Sequence, residues 1–266
     1  MFLTQIPLGW VLAGFFGLCV GSFINVVIYR LPLDQSVVTP RSHCPNCKTK
    51  IAWYDNIPLL SYILLRGKCR YCKQTIAFQY FLVELCGLFL SLAAFAYFQE
   101  LLLYLAYFCL LLAPLLAVIF IDLKHRIIPD SISLPGIGAG FLVHFLDAPP
   151  MWGKEALLES LVGMLVGGGF LFLVAFLYEK IKKKEGLGGG DVKLAAMLGA
   201  FFGWQQILMI LLVSSVLGSL IGLIVVAFKK DWQYALPFGP FLAVAATLQL
   251  FFGFPMLSWY LSLFHG

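Results

Sequence analysis

Long apolar stretches separated by short polar ones run along almost the whole chain, each close to the ~20 residues a helix needs to cross a hydrocarbon core. Eight spans can be drawn, at about 7–29, 78–98, 101–121, 131–147, 157–178, 191–204, 206–228 and 236–262. Residues 30–77 are the one polar stretch long enough to form a separate module. The pattern predicts an all-α polytopic membrane protein: a first transmembrane helix over 1–29, an inserted module over 30–77, and a transmembrane core over 78–266. The sixth span is short and bounded by Gly203-Trp204-Gln205-Gln206; it reads as a tilted helix or as a re-entrant pair with the seventh. The first apolar run lacks a basic n-region, is too long for the h-region of a signal peptide and ends on Arg30, so it is expected to stay as an anchor.

Composition agrees with this pattern. Hydrophobic residues make up 61% of the chain and charged residues 12%, against about 25% charged in a soluble domain. With eight spans the loops alternate sides, and Lys154 alone among the 18 Lys and Arg falls on the side opposite to the others. Cytoplasmic loops carry the excess of basic residues. The 30–77 module and the loops near 122–130, 179–190 and 229–235 are therefore expected on the cytoplasmic side, with a periplasmic N-terminus. Topology accounts for the net charge of +5, and no nucleic-acid partner is implied. Gly14, Gly17 and Gly21, and Gly163 with Gly167 to Gly169, are small residues that suit close helix packing.

The module contains Cys44-Pro-Asn-Cys47 and, after residues 48–68, Cys69-Arg-Tyr-Cys72. Two CxxC pairs at this separation suit a closed tetrahedral thiolate site for a structural Zn2+. Such a site would staple a segment too small to bury a core of its own. Two disulfides or a redox pair are the rival readings, which a reducing compartment disfavours. Cys19, Cys86 and Cys109 stand singly in apolar segments and read as packing residues.

Acidic residues in or beside spans are costly and often mark function. Asp122 ends the third span, and Asp191 follows Gly186-Leu-Gly-Gly-Gly190 at the start of the sixth; loop parity puts both at one membrane face. Two carboxylates converging at a desolvated site share one proton, so that one activates a water while the other polarises a carbonyl. The bland alternatives stay open: Asp191 as a helix cap, and Asp122 as a boundary anchor paired with Lys124 or Arg126. The glycine run lacks the GK[ST] ending of a phosphate loop, and no HExxH metalloprotease motif exists in the chain. A transporter and a zinc-stabilised scaffold are the competing functional classes.

These motifs together resemble the bacterial type IV prepilin peptidases (leader peptidase and N-methyltransferase) of the GxGD aspartic type. The resemblance runs through Gly21-Ser-Phe-Ile-Asn-Val-Val-Ile-Tyr-Arg-Leu-Pro32, the two CxxC pairs around Asn56-Ile-Pro-Leu-Leu-Ser-Tyr62 and Leu65-Arg-Gly67, and the segment Asp122 to Asp130. It continues through Gly188-Gly-Gly-Asp191-Val-Lys193 and Phe238-Gly-Pro240. It implies an inner-membrane endopeptidase that removes leader peptides from type IV prepilin and type II pseudopilin precursors, then methylates the new N-terminus with S-adenosylmethionine; a peptidase without methyl transfer is the alternative. Carried over by motif, Asp122 and Asp191 are the catalytic pair, and Cys44, Cys47, Cys69 and Cys72 the zinc ligands. Asp130 suits a helix N-cap. Glu84 suits either an amine or methyl-donor site or a buried hydrogen bond, and Phe81 stands where the resemblance leads one to expect proline.

Overall fold

The computed structural model describes residues 7–147, 153–183, 188–229 and 236–262. Lys184, Gly186, Leu187 and Lys230, which entered the charge and glycine patterns above, lie outside the described residues, as do parts of the 148–156 and 229–235 loops. The elements are α1 (Pro7–Arg30), the short α2 (Leu60–Leu64), α3 (Phe78–Tyr97), α4 (Leu101–Tyr107), α5 (Ala113–His125), α6 (Asp130–Asp147), α7 (Gly153–Lys182), α8 (Gly189–Lys229) and α9 (Gly239–Ser262). A π-helical turn, Phe108–Leu112, joins α4 to α5 into one continuous span. Five of these helical stretches are long and apolar enough to cross a membrane, and no β-strand occurs among the described residues. The protein is a multi-pass helical membrane protein, and outward leucines and phenylalanines such as Leu157, Leu165 and Phe172 are the surface such a protein offers to lipid.

The chain divides into two compact units, Met1–Ala117 and Val118–Gly266. In the first, α1 and α3 run antiparallel at very short range. A Cβ on Gly17 would sit 2.6 Å from the Gly87 carbonyl oxygen, and one on Gly87 would sit 2.7 Å from that of Gly17. Bonds on either side hold the same register: Ser91 Oγ donates to the Ala13 carbonyl at 2.7 Å, and Asn25 Nδ2 to the Tyr80 carbonyl at 3.0 Å. Small residues one turn apart let the backbones approach, and where lipid is as apolar as leucine this packing supplies much of the association energy.

In the second unit α8 is the central helix, packing against α6, α7 and α9. Leu194, Ala195, Met197, Leu198, Phe201, Ile207 and Ile210 are fully buried along it. Gly163 of α7 and Gly199 of α8 meet backbone to backbone, leaving no room for a side chain at either position. Helical geometry breaks at Gly203, whose φ of 75° and ψ of 175° suit only glycine. A Cβ on Gly167 would meet both the Ala195 carbonyl at 2.5 Å and Ile207 Cγ1 at 2.8 Å. On a straight helix those two residues would be about 18 Å apart, so the chain turns back sharply at Gly203. This turn resolves the short sixth span: residues 189–202 and 204–229 are two arms that share α7 as a partner.

Candidate functional site

The apolar run of α5 ends at Ile121, and Asp122 follows within the helix rather than at its end, because helical structure continues to His125. Arg126 closes the helix in the left-handed region (φ 57°), donating its N–H to the Asp122 carbonyl at 2.9 Å. Residues 126–129 then cross to α6. Asp191 lies in the first turn of α8, and its backbone N–H bonds the Gly188 carbonyl at 3.1 Å. Gly239 opens α9.

These pieces converge inside the second unit. Asp122 is buried, and its Oδ2 accepts the Gly239 N–H at 3.1 Å. The Asp191 carboxylate interacts electrostatically with Asp122, and its Oδ1 is buried without a hydrogen-bond partner. Ile128 fills the space between the two arms of the site: a Cβ on Gly190 would meet its Cβ at 3.0 Å, and one on Gly239 would meet its Cδ1 at 2.9 Å. The structure thus brings together the two aspartates that the sequence singles out. Asp122 is buried and also feels the nearby Arg126 charge, and the Asp191 carboxylate accepts a backbone hydrogen bond at Gly188 while its Oδ1 stays without a partner.

Asp130 departs from the N-cap expectation. It starts α6, but both its oxygens take Lys193 Nζ at 2.7 Å, tying the start of α6 to the start of α8 two residues after Asp191. The pair is exposed, so its effect is to position more than to stabilise. Gly239, Ile128 and Lys193 had no assigned role in the sequence. Phe238-Gly-Pro240 and the lysine of Gly-Asp191-Val-Lys193 were visible as motif members, but nothing in their local pattern tells which carboxylate they face.

The four thiols form a second cluster, in the first unit. Each CxxC sits on the same turn. The Cys44 N–H bonds the Thr49 carbonyl at 3.0 Å and the Lys48 N–H the Cys44 carbonyl at 2.9 Å; the Cys69 N–H bonds the Gln74 carbonyl at 2.8 Å and the Lys73 N–H the Cys69 carbonyl at 3.1 Å. Lys48 and Lys73 both take φ of 59°, and single β-bridges, His43 with Lys50 and Lys68 with Thr75, close the two turns. The four Sγ atoms lie within 4.8 Å of one another, and Cys44 Sγ is 3.8 Å from Cys72 Sγ. Tetrahedral zinc with Zn–S bonds of about 2.3 Å places its sulfurs about 3.8 Å apart, so the donor set fits that ion. Hydrogen bonding at Thr49, from the side chain first and then the backbone, pulls the Cys47 thiol down to about 6, which favours the thiolate a metal needs. His43 turns away, with Nδ1 3.1 Å from the Arg41 carbonyl oxygen. Elsewhere in the module the Arg70 guanidinium grips Asp55 through Nε at 2.7 Å and Nη2 at 2.5 Å, which holds the Asp55 carboxyl below its ordinary range. Arg30 is buried and caps the carbonyls of Ser36 and Pro40 at 2.9 and 2.7 Å.

Fold and site define a class: a multi-pass membrane protein with two interacting carboxylates in its helical core, one buried and one half-buried, and a separate four-thiol module suited to a metal. Residues 15–98 match the Bacterial Peptidase A24 N-terminal domain, and residues 109–223 match the Type IV leader peptidase family. A prepilin leader peptidase/N-methyltransferase of Stutzerimonas stutzeri is 37% identical, over 98% of this chain and 96% of that protein. The protein of the same description from Burkholderia pseudomallei is 37% identical, over 90% and 84%. That of Myxococcus xanthus is 44% identical over 78% of this chain, and the match spans 60% of the Myxococcus protein's length. No solved structure gives a significant match. The chain belongs to the type IV leader peptidase family, whose members are enzymes.

Proposed function

We propose that this protein removes the leader peptides of type IV prepilins and type II secretion pseudopilins, with Asp122 and Asp191 as its catalytic pair. The observation that carries the proposal is the meeting of these two carboxylates, one braced by the Gly239 N–H and the other with a bare, buried Oδ1. Two carboxylates so placed hold one proton between them. The unprotonated one takes a proton from a water, whose oxygen attacks the scissile carbonyl carbon. The protonated one donates to the carbonyl oxygen, and Asp191 Oδ1 is the atom with no competing partner for that bond. Collapse of the tetrahedral adduct breaks the C–N bond, and the departing amine takes up the proton. The glycines at 188–190 keep the approach to Asp191 clear for an extended peptide backbone.

The working division is a first helix over 1–29, a zinc module over 30–77 and a peptidase core within 78–266. Cys44, Cys47, Cys69 and Cys72 would hold the ion, whose closed shell leaves no position for water and so supports a structural role. The excess of basic residues in these loops supports a cytoplasmic position at the inner membrane for the module and the aspartates, with the N-terminus periplasmic. A substrate whose own helix lies in the bilayer would then reach the site laterally, and each of its buried methylenes contributes about 0.8 kcal/mol to that partitioning.

The names of the relatives support a second step, methylation of the new N-terminal amine. S-adenosylmethionine supplies an electrophilic methyl group for that chemistry when bound. No described side-chain cluster marks where it binds, and Glu84, one candidate for that role, is engaged in a hydrogen bond with backbone.

The test is incubation of the purified protein with a prepilin and S-adenosylmethionine, followed by product mass. Loss of the leader and gain of one methyl group are expected; an intact precursor overturns the assignment, and loss of the leader alone reduces the protein to a peptidase.

A further inference from the structure

The four-cysteine module carries an apolar surface that a metal site has no use for. Residues 57–65, Ile-Pro-Leu-Leu-Ser-Tyr-Ile-Leu-Leu, hold no charge. Tyr62 of α2 faces inward, its ring 5.4 Å from that of Phe81 and its hydroxyl 3.4 Å from the Ile76 carbonyl oxygen. Leu60, Ile63 and Leu64, spaced to share one helix face, are 48%, 60% and 71% exposed, and Trp53 just before them is 81% exposed.

The depth of this segment follows from what holds it. The Leu59 N–H donates to Glu84 Oε2 at 2.7 Å, and the Ser22 hydroxyl of α1 bonds the same carboxylate. Glu84 lies six residues into α3, about 9 Å along its axis. With 20 residues, α3 is about 30 Å long, one hydrocarbon thickness, so its first turn marks the edge of the core. A side chain leans toward its helix N-terminus and gives back part of that height. The Tyr62–Phe81 contact, with Phe81 in the first turn of α3, is an independent marker that α2 lies beside the helix rather than beyond its end. Leu59 is also in the left-handed region, φ 58°. Irregular backbone at membrane depth persists where its polar groups find protein partners, which Glu84 supplies.

We propose that the segment Trp53–Leu65 dips into the membrane interface, with Leu60, Ile63 and Leu64 against acyl chains and the neighbouring Arg66 and Lys68 against anionic lipid headgroups. Charge favours this occupant: residues 30–77 contain eight Lys and Arg against two Asp. Position favours it too, since Tyr62 of the same short helix packs against Phe81 in the first turn of the membrane-crossing α3. An exposed Trp beside apolar residues and flanking cations is the composition of an interfacial anchor.

The test uses the full chain in bilayers containing an anionic phospholipid. Subtracting the emission of Trp53→Phe from that of the parent isolates Trp53 among the six tryptophans. Lipids brominated near the headgroup end of the chain should quench that component at least twofold, and aqueous iodide should barely affect it. Leu64→Asn leaves the thiols untouched and should at least halve the bromolipid quenching with metal content unchanged. Arg66→Gln combined with Lys68→Gln should abolish any dependence of the quenching on the anionic lipid fraction. A Trp53 quenched by iodide and not by bromolipid overturns the proposal. So does shielding that appears only at high protein density, as a second copy would give, or only with a bound polypeptide. Quenching unchanged in Leu64→Asn, or equal in purely zwitterionic bilayers, removes the assigned face or the headgroup contact respectively.

Discussion

Gly239→Ala is the smallest change that reaches the aspartate pair without altering a titratable group. The new Cβ would stand 2.7 Å from Asp122 Oδ2, where ordinary contact begins at 3.4 Å, so the carboxylate must retreat by about 0.7 Å or the start of α9 must shift by as much. Ile128 Cδ1 at 2.9 Å closes the other side, so the methyl group has no free direction. The same retreat stretches the 3.1 Å bond from the Gly239 N–H. A displacement of 1 Å in a catalytic constellation costs on the order of 100-fold. We expect kcat to fall about 30-fold, or about 2 kcal/mol in the barrier. On the proposed lateral entry of a membrane-embedded substrate helix, KM should change little. The crowding should cost some stability, about 1–3 kcal/mol as overpacking typically does, so the melt must show that the protein is still folded at the assay temperature. The assay is leader cleavage in detergent with a thermal melt in parallel, and Gly138→Ala, whose Cβ meets nothing within 4 Å, is the control in the same unit. Cleavage within twofold of the parent by a folded Gly239→Ala protein would show that Asp122 does not need its observed position, and the catalytic assignment would fall with it.

Asp122→Asn and Asp191→Asn should each lower cleavage by several orders of magnitude while the protein stays folded and inserted, because neither carboxylate can take the other's role; wild-type rates in either would refute the pair. Asp130→Asn should keep measurable cleavage and lose less than about 1 kcal/mol of stability, as an exposed ion pair allows; a loss of activity equal to that of Asp122→Asn would move Asp130 into the chemistry. Purified protein should carry one zinc per chain by elemental analysis, reduced in Cys72→Ser, and four freely alkylated thiols in metal-free native protein would remove the site. Supplied with a pre-cleaved, unmethylated pilin, Asp191→Asn should still add one methyl group by mass spectrometry; failure in a folded variant would mean the two activities share a site. Gly199→Leu should prevent folding of the second unit, since Gly163 backbone fills the space its side chain needs, and a normal melt would contradict the α7–α8 packing.

What could be read from the sequence was what repeats along it. Apolar runs of the right length gave the helices, and two identical CxxC turns gave a cluster whose sulfurs do lie within bonding range of one ion. The helix runs four residues past the expected end of the third span at residue 121, because Asp122, Lys124 and His125 end the apolar run while Leu123 and Lys124 are good helix formers that continue α5. The fold-back at Gly203 was only half visible, since a glycine between apolar arms does not declare whether the chain bends or reverses. Asp130 was read as a cap from its neighbours Pro129 and Ser131, whereas its partner, Lys193, lies 63 residues away. That distance in sequence is the general reason for the misses: contacts between one side chain and a remote residue leave no period to count.

The same reasoning separates the two acids that local sequence treats alike. Glu84 and Asp122 each lie in an apolar helix, and each accepts one backbone N–H from far along the chain, Leu59 at 2.7 Å and Gly239 at 3.1 Å. For Glu84 the partners are an N–H on strained backbone and the Ser22 hydroxyl, so its carboxylate is engaged in holding a loop beside a helix. For Asp122 the site also contains a second carboxylate, and the oxygen left without a partner belongs to that second acid. Asp122 and Asp191 also accept backbone hydrogen bonds, at Gly239 and Gly188, so what sets them apart from Glu84 is that each has another acid for a neighbour, a repulsion that a shared proton relieves. By that criterion the proposal of catalysis rests on Asp122 and Asp191, while Glu84 accepts the Leu59 N–H and holds the module's backbone.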